Sequence, residues 1–179
     1  GPYATSKRDA EHGLWEIADR SGMEVVVIRP PLVYGPGVKA NFLSMMRWLH
    51  RGVPLPLGAI NNRRSLVAIG NLVDFIVKCI DHPAAANETF MVSDGEDLST
   101  TELLVRLAAA LQVKARFIDV PLPVLKLGAM MLGRGEVLRR LCGSWCVDAS
   151  KANRLLSWSP PLNVDDGLKA AADHFRATL

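Results

Sequence analysis

Two rhythms of apolar residues run through the chain, one with the period of a helix and one with the density of a buried strand. Tyr3, Lys7, Ala10, Leu14 and Ile17 are spaced four, three, four and three apart. This predicts a helix from Thr5 to about Arg20 with Ala10, Leu14 and Ile17 facing a protein interior. Ser21-Gly22 ends it. Met23-Glu24-Val25-Val26-Val27-Ile28 is rich in β-branched residues and predicts a short buried parallel strand. The strand stops at Arg29-Pro30-Pro31, because proline cannot continue the ladder. Tyr34-Gly35-Pro36-Gly37 reads as a loop, and Asn41 as the cap of a helix running to about Arg51.

The alternation continues. Arg64 to Ala68 reads as a short strand, Gly70 to Asp81 as an amphipathic helix with Leu72, Val73, Ile76 and Ile80 inward, and Glu88 to Val92 as a strand. Ser99-x-x-Glu102 is a capping box that opens a helix to Leu111. Ala115 to Val120 reads as a strand, and two helices close the chain near Ser150 to Leu156 and Val164 to Ala177. Val120 to Leu132 is the most apolar stretch. It is too short to span a bilayer and is interrupted by Lys126 and two prolines, so it is expected as a packed helix. Helices alternating with strands indicate the α/β class.

Composition narrows this picture. The 179 residues suffice for one domain with a real core, and 49% hydrophobic with 22% charged residues is soluble in character. The net charge of +3 is small and the basic residues are dispersed, with only Arg63-Arg64 and Arg139-Arg140 adjacent, which argues against a nucleic-acid partner. Three cysteines and no secretory signal favour a reducing, cytoplasmic setting. Cys142-x-x-x-Cys146 has no histidine nearby and no second cysteine pair, so it reads as two small apolar residues and no metal site is expected.

Tyr3 and Lys7 carry the candidate chemistry. Residues four apart share one helix face, and an ammonium near a phenol favours the phenolate. Such a pair takes or returns an alcohol proton near neutral pH.

Other landmarks accompany the pair in order. Pro2-Tyr3-x-x-Ser6-Lys7 precedes Val27-Ile28-Arg29-Pro30-x-x-Val33-Tyr34-Gly35-Pro36-Gly37. Val147-Asp148-x-Ser150-Lys151-Ala152, Leu156-x-Trp158-x-Pro160 and Asp166-Gly167-Leu168 follow. Together they resemble the C-terminal half of the extended short-chain dehydrogenase/reductase family, in its NAD-dependent nucleotide-sugar epimerase/dehydratase branch. The resemblance implies a Rossmann domain that binds NAD or NADP, joined to a small substrate domain. The chain is then expected to hold the last strands of a partial, doubly wound Rossmann-type sheet plus a small α/β substrate-binding domain. Residues 1–36 would end the dinucleotide-binding domain and 37–179 would mostly bind the nucleotide sugar, with 70–93 returning to the Rossmann sheet. The Gly-rich phosphate loop and an upstream catalytic Ser/Thr are not seen, so the chain is expected to be an isolated, inactive C-terminal half.

The resemblance also assigns roles. Tyr3 becomes the acid/base for the sugar 4-hydroxyl, and Lys7 binds the nicotinamide ribose and tunes Tyr3. Pro30 either lines the nicotinamide side of the cleft or simply ends its strand. Asn41 either meets the nucleotide diphosphate or is a plain helix cap. Leu55, Pro56 and Leu57 edge a uracil pocket through backbone groups, and Arg64 and Arg139 approach the diphosphate. Arg134 or Arg140 are alternatives to Arg139. Asp148 and Trp158 are structural, and Ser157 stands where the family usually has glycine. The implied activity is 4-epimerisation or 4-keto reduction of a UDP-sugar in polysaccharide biosynthesis, by a full-length cytoplasmic homodimer with no membrane span. The alternative is a non-catalytic binding or assembly module on the same fold.

Overall fold

The computed structural model describes residues 2–133 and 135–179, with side chains from Thr5 onward. The elements are α1 (Pro2–Ser21), β1 (Val26–Arg29), β2 (Leu32–Tyr34), α2 (Ala40–His50), β3 (Arg64–Ala68), α3 (Ile69–Asp81), β4 (Glu88–Met91) and β5 (Asp97–Leu98). They continue with α4 (Thr100–Leu111), α5 (Leu122–Met131), α6 (Gly135–Cys142), α7 (Ser150–Leu156) and α8 (Val164–Ala177). β1 pairs in parallel with β4, Val26 opposite Glu88 through Arg29 opposite Met91. β2 pairs in parallel with β3, Tyr34 opposite Ala68, and β5 adds antiparallel to β3.

β3 explains how two cores share one chain. Ser65, Leu66, Val67 and Ala68 are all buried, and the two-residue period of a strand sends alternate side chains to opposite faces. Leu66 and Ala68 join a core with Tyr34, Phe42, Met46, Leu104 and Leu168. Val67 joins a second core, in which Phe75 meets Phe90 and Trp158 edge-on at 5.4 and 4.8 Å. Trp158 Nε1 donates to Asp74 at 2.7 Å, which fastens the residues after α7 to α3. Ser150 N–H donates to Asp148 at the start of α7. Ser157 closes that helix in the left-handed region, at φ 48°.

The structure corrects several expectations. Parallel pairing already begins at β1 and joins β1 to β4 and β2 to β3 within residues 26–91. In α1, Ala10, Leu14 and Ile17 are exposed and Ala18 is buried instead. In α3, Asn71, Phe75 and Cys79 turn inward, at intervals of four, while Val73, Ile76 and Ile80 are exposed. Both helices carry apolar residues on more than one side, and periodicity alone does not choose the side that meets the sheet. α5 has no buried residue, although its sequence predicts a packed helix. The expected strand at Ala115 to Val120 is one parallel bridge, Leu55 to Phe117. Asn41 is not the cap of α2: Ala40 opens the helix at φ 54° and the cap position falls to Lys39, whose side chain makes no capping bond.

Candidate active site

α1 runs antiparallel to β1, so its start lies beyond the carboxyl end of that strand. Arg29, the last residue of β1, donates through Nε to Glu11 Oε2 at 3.1 Å and through a second nitrogen to Glu11 Oε1. This two-pronged ion pair fixes the helix against the strand end. Lys7, four residues before Glu11, stands one turn further out on the same face and is exposed. Pro30 is exposed immediately after β1. Pro30 thus follows directly on the Arg29 end of this ion pair, and Lys7 lies one helical turn from its Glu11 end. Tyr3 lies in the first turns of α1; its side chain is outside the described residues.

A second cluster forms where β3 meets α6. Arg64, at the start of β3, is half-buried, and burial pushes its guanidinium pKa down while Cys142 acts the other way. Burial pushes the Cys142 thiol up, opposed by Lys126 and Arg64. Cys142 also lines a cleft of about 480 Å³ with Leu122, Lys126, Leu138 and Arg139, a size suited to a small ligand. A neighbouring hollow of about 300 Å³, bounded by Ile60, Asn61, Asn62 and Ser144, shares Leu122 and Cys142 with it. Arg64 and Arg139 are thus both neighbours of Cys142. Arg139 is largely exposed, 3.8 Å from Glu136.

Asn62 holds this corner together. Its Oδ1 accepts the Thr100 N–H at 2.8 Å, and its Nδ2 donates to the carbonyls of Gly143 at 2.8 Å and Leu141 at 3.2 Å. A buried amide thereby ties the approach to β3, the start of α4 and the end of α6.

The remaining predicted residues are Asn41, Leu55, Pro56 and Leu57. Asn41 is exposed in the first turn of α2. Leu55 and Leu57 are buried and Pro56 is exposed. Leu55 N–H donates to Arg116 O and its carbonyl accepts from Ile118 N–H, while Leu57 O accepts from Thr101 Oγ1. Those three backbone groups are committed to the fold.

Under the Tyr34-Gly35-Pro36-Gly37 turn lies a network that local sequence patterns do not reveal. Tyr34 donates to Asp94 Oδ2 at 2.7 Å, with Val164 O at 3.2 Å from the same hydroxyl. Asp94 Oδ1 accepts from Ala68 N–H at 2.9 Å and from Asn71 Nδ2 at 2.7 Å. Burial, reinforced by Asp94, pushes the Tyr34 phenol far above its ordinary range. Gly35 has φ 149°, and a Cβ there would sit 2.5 Å from Ile69 Cγ2, so both backbone and space call for glycine. Lys126, Asn62 and Cys142 likewise carry no sequence signal; they join the site only through the return of α5 and α6 beside β3.

A family model described as the NAD dependent epimerase/dehydratase family matches residues 1–93, more than half of the chain. The chain belongs to this family. A UDP-glucose 4-epimerase of Vibrio cholerae is 49% identical over 174 residues, covering 97% of this chain and 53% of that protein. The chain thus spans about half the length of that relative. Among solved structures, RMD from Pseudomonas aeruginosa complexed with NADPH superposes with a TM-score of 0.76 at 20% identity, over 100% of this chain and 57% of the other. A UDP-glucose 4-epimerase of Thermus thermophilus complexed with NAD gives 0.73 at 23%, over 100% and 55%. At these identities the two structures speak for the fold.

The family match overturns three expectations. The segment read as the closing piece of a cofactor domain is itself matched as this epimerase/dehydratase family's domain, so the chain is not a C-terminal half alone. Its Rossmann-like α/β order runs from β1 onward through the matched residues and is not a partial sheet of last strands. The expectation of an inactive C-terminal fragment falls with them.

Proposed function

We propose that this protein acts in the NAD(P)-dependent 4-epimerisation or 4-keto reduction of a UDP-sugar. The observation that carries the reading is the Glu11–Arg29 clamp, which holds the Tyr3–Lys7 helix at the carboxyl end of β1 beside Pro30. The likeness to a UDP-glucose 4-epimerase over nearly the whole chain supports it.

The residues at the strand end fit a nicotinamide nucleotide. Lys7 is an exposed cation on the clamped face, able to bond ribose hydroxyls, and Pro30 offers a flat apolar edge without an N–H. When bound, NAD or NADP supplies hydride exchange at the sugar's C4. Tyr3 would take the proton of the sugar 4-hydroxyl and return it to the same oxygen. Lys7 holds Tyr3 toward its phenolate form, and the Glu11–Arg29 pair keeps both at the strand end.

Arg64, Arg139 and Lys126 bind the diphosphate, with Cys142 between them. Guanidinium geometry matches phosphate oxygens, and the half-buried Arg64 is the less hydrated of the two arginines. Asn41 adds the uncapped first turn of α2, whose free N–H groups favour an anion. Leu55, Pro56 and Leu57 form the edge of the uracil pocket by shape, with Leu57 and Leu55 holding the exposed Pro56 forward. In this reading residues 1–36 belong to the dinucleotide-binding unit and 37–179 mostly to the sugar-nucleotide unit. Residues 70–93 return to the first sheet, as the β1–β4 pairing supports. The enzyme works as a cytoplasmic homodimer without a nucleic-acid partner.

The test is interconversion of UDP-glucose and UDP-galactose with added NAD, alongside calorimetric titration with UDP. Arg64→Ala is expected to weaken UDP binding roughly 10–100-fold, the scale of a lost charged hydrogen bond. Lys7→Ala is expected to remove turnover while UDP binding stays. UDP binding unchanged by Arg64→Ala would sink the diphosphate assignment. Turnover unchanged by Lys7→Ala would sink the catalytic one.

A further inference from the structure

The α5–α6 hairpin presents three different sides. In α5, Leu125 and Ala129 turn toward the fold and are half-buried. Leu122, Lys126 and Met130 line the cleft shared with Arg139 and Cys142. The remaining side carries Val124, Leu127 and Met131, which are 58%, 57% and 81% exposed. Their spacing of three and four puts them on one face. Leu132, just past the helix end, and Val137 of α6 are exposed as well. α6 anchors the hairpin through Leu138, buried, and through Leu141 and Cys142 against the main core.

Charge and aromatic content indicate what this surface meets. Residues 121–146 contain Lys126, Arg134, Arg139 and Arg140 against one acid, Glu136, so this segment holds an excess equal to the net charge of the whole chain, +3. Glu136 already pairs with Arg140 at 2.7 Å. Trp145 is 73% exposed, its indole beside Gly143 at the end of the hairpin. An exposed apolar helix face in a segment of net positive charge, with an exposed indole at its end, is the chemistry of a helix lying on an anionic membrane surface. A second copy of this chain would set like charge against like. The exposed apolar side of α3 differs, because Lys78 there is outweighed by Asp74 and Asp81.

We propose that the α5–α6 hairpin docks this protein onto the surface of an anionic lipid bilayer. Val124, Leu127 and Met131 enter the headgroup layer, and the exposed Arg140 meets lipid phosphates. No helix among the described residues is long and apolar enough to cross a membrane, so the contact is peripheral. The proposal stands apart from the activity proposed above, because it needs neither cofactor nor sugar.

The test is flotation of the protein with phosphatidylcholine vesicles and with vesicles of phosphatidylcholine mixed with phosphatidylglycerol. The protein is expected to float with the mixed vesicles, less so at high salt. The double variant Leu127→Glu/Met131→Glu is expected to bind about tenfold less or weaker still, with an unchanged circular dichroism spectrum because both residues are exposed. Arg140→Glu is expected to weaken binding to the mixed vesicles alone. Failure to float with the mixed vesicles overturns the proposal, as does equal binding by the double variant. A dimer in light scattering that the double variant dissociates, without lipid, would assign the face to a second copy and overturn it as well.

Discussion

Tyr34 and Asp94, sixty residues apart in sequence, meet in a buried hydrogen bond of 2.7 Å that ties the end of β2 to the loop after β4. The same carboxylate takes the N–H of Ala68, the last residue of β3, and the amide of Asn71, so one acid organises three segments. Gly167 of α8 closes the arrangement from above: a Cβ there would lie 2.7 Å from the Tyr34 hydroxyl. Tyr34→Phe removes one bond to a buried charge and is expected to cost about 1.5–3 kcal/mol, read as a lower urea midpoint with unchanged slope.

The same phenol makes stability depend on alkaline pH. Its folded pKa lies above the ordinary tyrosine value of about 10. Neutral Tyr34 therefore contributes fully below that value, and the contribution is lost as pH rises past it. Urea midpoints followed from about pH 8 to about pH 11 are expected to fall more steeply in the parent protein than in Tyr34→Phe. Parallel curves would contradict this.

Asn62→Ala strips the carbonyls of Leu141 and Gly143 and the N–H of Thr100 of their partner. It is expected to destabilise by about 1–3 kcal/mol. Because these bonds hold the end of α6, limited proteolysis within residues 122–142 should quicken more than cleavage elsewhere.

Ser157→Gly is expected to stabilise. Ser157 sits at φ 48°, ψ 37°, where any side chain strains against its own backbone and glycine does not. Relief of that strain is worth about 0.5–1 kcal/mol, visible as a raised Tm.

How far residues were legible in the sequence followed how far apart their partners stand. The capping box at Ser99 and Glu102 involves neighbours three apart; it forms as its pattern implies, and the Ser99 bonds hold the Glu102 carboxyl below its usual range. Strand β3 was legible because Leu66, Val67 and Ala68, buried on both faces, form a continuous apolar run. The inward side of α3 was not, because Phe75 packs on Phe90 and Trp158, contacts that no window of the sequence contains. Asn41 was misjudged as a cap because Ala40, at positive φ, already opens the helix and the cap position falls two residues earlier, at Lys39. Arg64 was legible as the first residue of its strand. Lys126 and Cys142 were not, since only the fold of the α5–α6 hairpin carries them to the cleft.

Asn71 and Leu162 exchange two hydrogen bonds across ninety-one residues: the side-chain amide donates to Leu162 O at 2.8 Å and accepts from its N–H at 2.9 Å. The side chain thus offers Leu162 the same pair of bonds that a neighbouring strand would. Seen by deuterium, this residue of an irregular loop should behave like part of a ladder. Its amide should exchange only when the Asp94 network opens, so the loop before α8 and the core helix α3 should give up their protons together.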